Sequence, residues 1–184
     1  MKTLVIHPKD KSTEFLKEIY LGKGWTINND IYGSRKKVIE QIKEHDRIIM
    51  MGHGCPSGLF YTPIRPDLVY LLRKKECVCI WCNADKFVLR YGLKGFYTGM
   101  FISEVGEARY FNIDATQEEV DYSNDLFTKA VTKYIDSKDM WGQIVEAYRG
   151  DDLVIQYNNQ RLYYYDGNYD GDELDEHKIK LLIN

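Results

Sequence analysis

Ile48-Ile49-Met50-Met51-Gly52-His53-Gly54 is the stretch on which the fold turns. Its first four residues are apolar on consecutive positions, without polar alternation, which suits a central strand covered on both faces. Upstream, Ser34 opens an expected helix with Val38, Ile39 and Ile42 on one face. Before that, Leu4-Val5-Ile6 is a short buried-strand run closed by His7-Pro8. Ser12 is expected to cap a helix carrying Phe15, Leu16, Ile19 and Tyr20, with Gly22 and Gly24 as its stop. Trp25-Thr26-Ile27 then reads as a second strand.

Downstream the alternation continues. Pro66 suits a first helical turn before Leu68, Val69, Leu71 and Leu72, and Cys77-Val78-Cys79-Ile80-Trp81 is the next strand, ending at Cys82-Asn83. A helix around Phe87-Val88-Leu89 leads to Gly95, and Phe96 to Ile102 reads as a fifth strand. Ser123 is expected to cap a helix with Leu126, Phe127, Ala130, Val131 and Tyr134 on one face, and Trp141, Ile144, Val145 and Tyr148 mark another. Leu153 to Tyr157, Asn158-Asn159 and Arg161 to Tyr165 read as a β-hairpin, followed by an acidic loop from Asp166 to Glu176 and an apolar end from Ile179 to Ile183. Strands alternating with helices predict a three-layer α/β/α sandwich around a mainly parallel sheet. Residues 1–150 form the expected α/β domain, and residues 151–184 a β-hairpin extension and acidic tail docked on it.

Bulk properties narrow the function. A net charge of -3 gives no broad basic field for a nucleic-acid backbone, and no GxGxxG or Walker-type loop occurs. Arg35-Lys36-Lys37 reads as a solvated helix face. The Tyr163-Tyr164-Tyr165 run, in acidic surroundings, reads as strand packing and not as a stacking platform for bases. No apolar run approaches the ~20 residues of a membrane span, and the N-terminal run is too short for a signal-peptide core. A cytoplasmic location and no membrane partner are therefore expected. The 4 cysteines, at 55, 77, 79 and 82, crowd one segment instead of spreading as disulfide staples. Cys77 and Cys79 lie roughly 6–7 Å apart on one strand face, so core packing is the simpler reading than zinc.

In an open parallel sheet, ligands collect where strands deliver their carboxyl ends. Two expected strands end there in chemically capable residues, His53 and Cys82, which stand 29 positions apart. That gap is one loop, one helix and one strand, so the two strands can be neighbours. A thiol with a pKa of ~8.5 is partly ionised at neutral pH, and an imidazole beside it can take its proton. A helix starting after Cys82 would favour the thiolate further. The N–H groups of Gly54 and Cys82 would form an oxyanion hole, worth roughly 2.7–4 kcal/mol per donor.

An apolar strand ending in His-Gly, then one ending in Cys, resembles the caspase-like cysteine peptidases, a superfamily of caspases, metacaspases, gingipains, clostripain, separase and bacterial CHAT domains. The carrying segments are Ile48 to Gly54 and Val78 to Asn83, within an order of elements running from Leu4 to about Tyr134. Cys82-Asn83 is closer to CHAT-type sequences than to caspases, whose longer cysteine signature is absent. The resemblance implies a caspase-like sheet and an endopeptidase with Cys82 as nucleophile, His53 as base, and Gly54 with Cys82 as oxyanion donors. It implies a peptide or protein substrate, neither metal nor organic cofactor, and room for an activating partner. The substrate pocket would involve the loop Pro8-Lys9-Asp10-Lys11, where Asp10 favours a basic residue and Lys9 or Lys11 an acidic one, with Glu104 on its wall.

Blander readings stand beside this one. A buried Cys is commonly a small apolar residue. Cys55 and His7 are read as an inert loop thiol and a structural turn residue. The chain would then be a non-catalytic binding or regulatory module of the same fold, or a flavodoxin-like small-ligand binder using the same rim.

Overall fold

The computed structural model describes residues 1–62, 64 and 68–167; the expected roles of Pro66 and of the segment beyond Gly167 lie outside the described residues. Strands β1 (Thr3–Ile6), β2 (Thr26–Asn28) and β3 (Arg47–Met51) alternate with a 3-10 helix (Glu14–Ile19) and α1 (Arg35–Glu44). A two-stranded ribbon follows, β4 (Gly54–Cys55) and β5 (Gly58–Leu59), then α2 (Val69–Leu72), β6 (Glu76–Ile80), α3 (Ala84–Tyr91) and β7 (Gly95–Thr98). The remainder is α4 (Val105–Tyr110), α5 (Gln117–Tyr134), α6 (Met140–Ala147), α7 (Leu153–Asn159) and β8 (Leu162–Tyr165).

Six strands form one mixed sheet in the order β2-β1-β3-β6-β7-β8, with every pairing parallel except the last. Because side chains alternate across a strand, the central strands β1, β3 and β6 each feed two cores. Leu4, Ile6, Ile48, Met50, Cys77 and Cys79 pack with α1, α2 and α3 on one face. On the other, Val5, Ile49, Met51, Val78 and Ile80 pack against the 3-10 helix, α5, α6 and α7. The consecutive apolar runs are thus used on both sides, as a covered sheet requires. Arg47, at the start of β3, is almost wholly buried; it donates to the Ile135 carbonyl and to Asp136 Oδ1 at 3.0 and 2.7 Å.

The expected β-hairpin is corrected. Residues 153–159 form α7, and β8 pairs with β7 instead of with them. Asp152 starts the helix, its Oδ1 accepting from the N–H groups of Val154 and Ile155 at 2.7 and 3.2 Å. Val154, Ile155 and Asn158 are then buried together at helical spacing. Two expected caps also differ. Helix α5 starts six residues before Ser123, on a reciprocal box in which Thr116 Oγ1 accepts from Glu119 N and Glu119 Oε2 accepts from Thr116 N. Ser123 is buried, its hydroxyl 2.7 Å from that of Tyr148. Ser12 caps nothing; Thr13 precedes the 3-10 helix. The fifth strand stops at Thr98, and residues 99–104 form a loop over the sheet's carboxyl edge.

Candidate active site

From β1 the chain moves outward to β2, then crosses back to β3 on the other side of β1. Loops leaving the carboxyl ends of β1 and β3 diverge there, which opens a crevice at the sheet's edge. The β1 loop brings Asp10 and Ser12, the β3 loop brings His53, and neighbouring β6 brings Cys82.

Asp10, Ser12 and His53 form a chain of hydrogen bonds. The Ser12 hydroxyl donates to Asp10 Oδ1 at 2.6 Å, its N–H donates to the same oxygen at 2.9 Å, and its Oγ lies 2.6 Å from His53 Nε2. Those two Ser12 donors, with the nearby imidazole a lesser cause, hold the Asp10 carboxyl below its ordinary range. A hydroxyl has one hydrogen. Since that of Ser12 is given to Asp10, its oxygen accepts from His53 Nε2–H, and Nδ1 is left as the basic nitrogen of the ring. His7, the other strand-end imidazole, is buried between Tyr20 Oη and Thr13 Oγ1, and burial pulls its pKa down to about 4. It is a neutral structural group.

Cys82 sits one residue past Trp81 on a sharp turn. Asn83 has φ 63°, left-handed for a non-glycine residue, and donates its N–H to the Gly99 carbonyl at 3.1 Å before α3 begins. His53 and Cys82 line one cavity with Gly52, Phe15, Phe101 and Ser103, but that cavity holds only about 20 Å³. No hydrogen bond joins the two among the described residues. The Cys82 thiol faces the Phe101 carbonyl at 3.6 Å and Glu107 Oε1 at 3.8 Å. Burial first, and the Glu107 charge second, push its pKa up to about 11. The Glu107 carboxylate is itself anchored: Oε2 accepts from Ser103 N, Ser103 Oγ and Glu104 N.

Gly54 lies on the ribbon laid over Trp81. A Cβ there would stand 2.2 Å from the indole Cδ1, while the indole Nε1–H donates to the Cys55 carbonyl at 3.2 Å. The bond from Phe60 N to the His53 carbonyl makes 53 and 60 a hydrogen-bonded pair of the antiparallel ladder. Such pairs alternate, so the next pair, Gly54 and Leu59, is non-bonded and the Gly54 N–H points away from β5. Gly52, not Gly54, lines the cavity.

The remaining sequence-based candidates are dispersed. Lys9, Asp10 and Lys11 border a pocket of about 230 Å³ with His7 and Tyr20, and Lys11 reaches a second cleft of about 440 Å³ that Glu104 also lines. Cys77 and Cys79 are core thiols on β6, and burial pushes Cys77 up to about 12 and Cys79 well above its ordinary value. Half-buried Cys55 accepts from Ser57 N–H. Sequence reasoning missed two polar residues of the site. Ser12 was assigned to a helix cap, and Glu107 carried no signal beyond its place three residues after Glu104.

The Cys82 environment fixes its reactivity. At pH 7.4 Cys82 carries about 300-fold less thiolate than a thiol of pKa ~8.5, and after the greater nucleophilicity of a more basic thiolate its alkylation by iodoacetamide should still run at least tenfold slower, rising about tenfold per pH unit towards pH 11. The folded thiol keeps its proton to about pH 11 while an unfolded one releases it near ~8.5, so stability is lost as pH climbs through that window. Glu107→Gln keeps an N3 side chain able to accept from the helix cap but removes the charge, and should raise the rate at pH 8 about tenfold. Mass-spectrometric labelling kinetics across pH measure both; an unchanged rate in Glu107→Gln would remove Glu107 as a determinant of the thiol.

Among the described residues no helix is long and apolar enough to cross a membrane. Comparison with known proteins finds no matching family model, no matching curated protein and no matching solved structure.

Proposed function

We propose that this chain is a caspase-like cysteine endopeptidase whose resting site is closed. Cys82 is the nucleophile and His53 the base, and the finer reading of the sheet as caspase-like belongs to the same proposal. The observation that carries it is the Asp10–Ser12–His53 chain, which occupies Nε2 and leaves Nδ1 to accept a proton beside the cavity that Cys82 lines. Catalysis in this reading requires the Cys82 side chain to turn away from Glu107 so that Sγ meets Nδ1 across the cavity both residues line. The thiolate then adds to the peptide carbonyl, and the Cys82 N–H receives the oxyanion, joined by the Gly54 N–H, free of the β4–β5 ladder, once the ribbon moves Gly54 to the cavity that Gly52 lines. The imidazolium gives its proton to the leaving amine, and water hydrolyses the acyl-enzyme with His53 again as base. No metal or organic cofactor enters these steps. The closed cavity and the protonated thiol favour an activating partner or the substrate itself as the trigger.

A second reading has its own support. A thiol pinned between Phe101 O and Glu107, with its pKa at about 11, also suits a non-catalytic binding module in which Cys82 is a packing residue. Incubation with a proteome-derived peptide mixture, read by mass spectrometry of new termini, separates the two. The peptidase generates new termini that vanish with Cys82→Ala; a module gives the same background for both proteins.

A further inference from the structure

We infer that the aromatic knob formed by Tyr32, Phe60 and Tyr61 is a peripheral docking surface for an anionic phospholipid bilayer. The inference is independent of the peptidase reading. Two connections build the knob, the loop that leaves β2 and the turn that follows β5. Tyr32 N–H donates to the Tyr61 carbonyl at 2.9 Å, and the two rings meet edge to face with centroids 5.8 Å apart. Phe60 meets Tyr61 in the same manner at 6.3 Å. Tyr32 is 77% exposed, and Ile31, Phe60 and Tyr61 are exposed as well.

Burial does not account for these rings. Tyr32 and Tyr61 have φ of 55° and 58°, a left-handed backbone that bulky residues rarely adopt and that glycine takes freely. Two tyrosines held in that conformation, bonded to each other and exposed to solvent, gain little packing in return. Backbone strain of this kind collects at binding and switch sites.

Charge selects the occupant. The chain as a whole stands at -3, yet residues 29–39 hold Arg35, Lys36 and Lys37 against the single carboxylate of Asp30, and residues 54–64 hold no charge. Asp30 accepts from Lys37 Nζ at 2.8 Å; that bond first, with the charge of exposed Lys9 a lesser cause, holds its carboxyl below the ordinary range. Lys36 is almost fully solvated, 4.0 Å from Glu40. Apolar rings flanked by cations match the layers of an anionic membrane surface, with rings at headgroup depth and ammonium groups towards the lipid phosphates. A peptide partner would want a groove, and these rings line none of the clefts at the sheet's rim.

Sedimentation of the full chain with vesicles of phosphatidylcholine and phosphatidylserine, in about a 2:1 ratio, beside vesicles of phosphatidylcholine alone, tests the surface. Binding to the mixed vesicles about tenfold above the neutral ones, weakened by added salt, is the expected result. Tyr32→Gly with Tyr61→Gly removes two rings and gives the left-handed backbone the residue it favours, so the melting temperature should hold while binding falls about tenfold. Lys9→Glu with Lys36→Glu, both at exposed positions, should abolish the preference for phosphatidylserine. No binding to mixed vesicles, equal binding to both kinds, or binding that both pairs of changes leave intact overturns the inference. Binding of polyglutamate without binding of vesicles overturns it too, and the knob would then hold an acidic protein segment.

Discussion

His53→Ala should lower peptide hydrolysis about 10³-fold without lowering the melting temperature. The side chain is about one-third exposed and belongs to neither main core, so its removal opens no cavity among packed apolar groups. What is lost is the proton carrier. With Nε2–H given to Ser12 Oγ, Nδ1 is the one ring nitrogen able to draw the proton from Cys82 and return it to the leaving amine. Without it, a thiol whose pKa stands at about 11 is almost wholly protonated at neutral pH. Initial rates on a fluorogenic substrate found in the peptide screen, beside a thermal melt, give both quantities. A drop below tenfold would mean that His53 is not the base, whatever Cys82 does.

Gly95→Ala is expected to be the most damaging single change to the fold, at about 4 kcal/mol or more. Gly95 opens β7 with φ +133°, and a Cβ there would stand 1.8 Å from the Cys77 carbonyl oxygen. That atom belongs to the backbone of β6, so no side chain can rotate out of the way. Gly95 is also paired with Cys77 on one side and Tyr165 on the other, and relief would have to part β7 from the strand that leads to Cys82. Gly92→Ala is the matched control: φ is +62°, nothing lies within 4 Å, and about 1 kcal/mol is expected. Urea denaturation followed by circular dichroism measures the pair. Equal costs would contradict the β6–β7 pairing.

Three strands were legible because their apolar residues are consecutive: Leu4 to Ile6, Ile48 to Met51 and Cys77 to Ile80 each feed both cores. Such runs leave little choice beyond a covered sheet. Leu153-Val154-Ile155 has the same appearance, and there periodicity over three residues does not separate strand from helix. The deciding signal was Asp152 directly before the run, a cap residue whose carboxylate satisfies two N–H groups. Thr116 and Glu119 likewise spelled out the start of α5 ahead of Ser123.

The site divides in the same way. His53 and Cys82 were readable because each follows a strand, and parallel neighbours bring their carboxyl ends to one rim. The hydroxyl of Ser12 between Asp10 and His53, and Glu107 against the thiol, depend on how two loops fold over that rim. No local propensity encodes such contacts between residues 41 and 25 positions apart.

Reaction of the native protein with a set of peptide acyloxymethyl ketones of basic, acidic and neutral terminal residues, read by peptide-level mass spectrometry, tests the dyad most directly. A single adduct on Cys82 that disappears in His53→Ala is the predicted result. Labelling shared between Cys55 and Cys82 whether or not His53 is present, or no adduct on Cys82, would contradict it and favour the binding module.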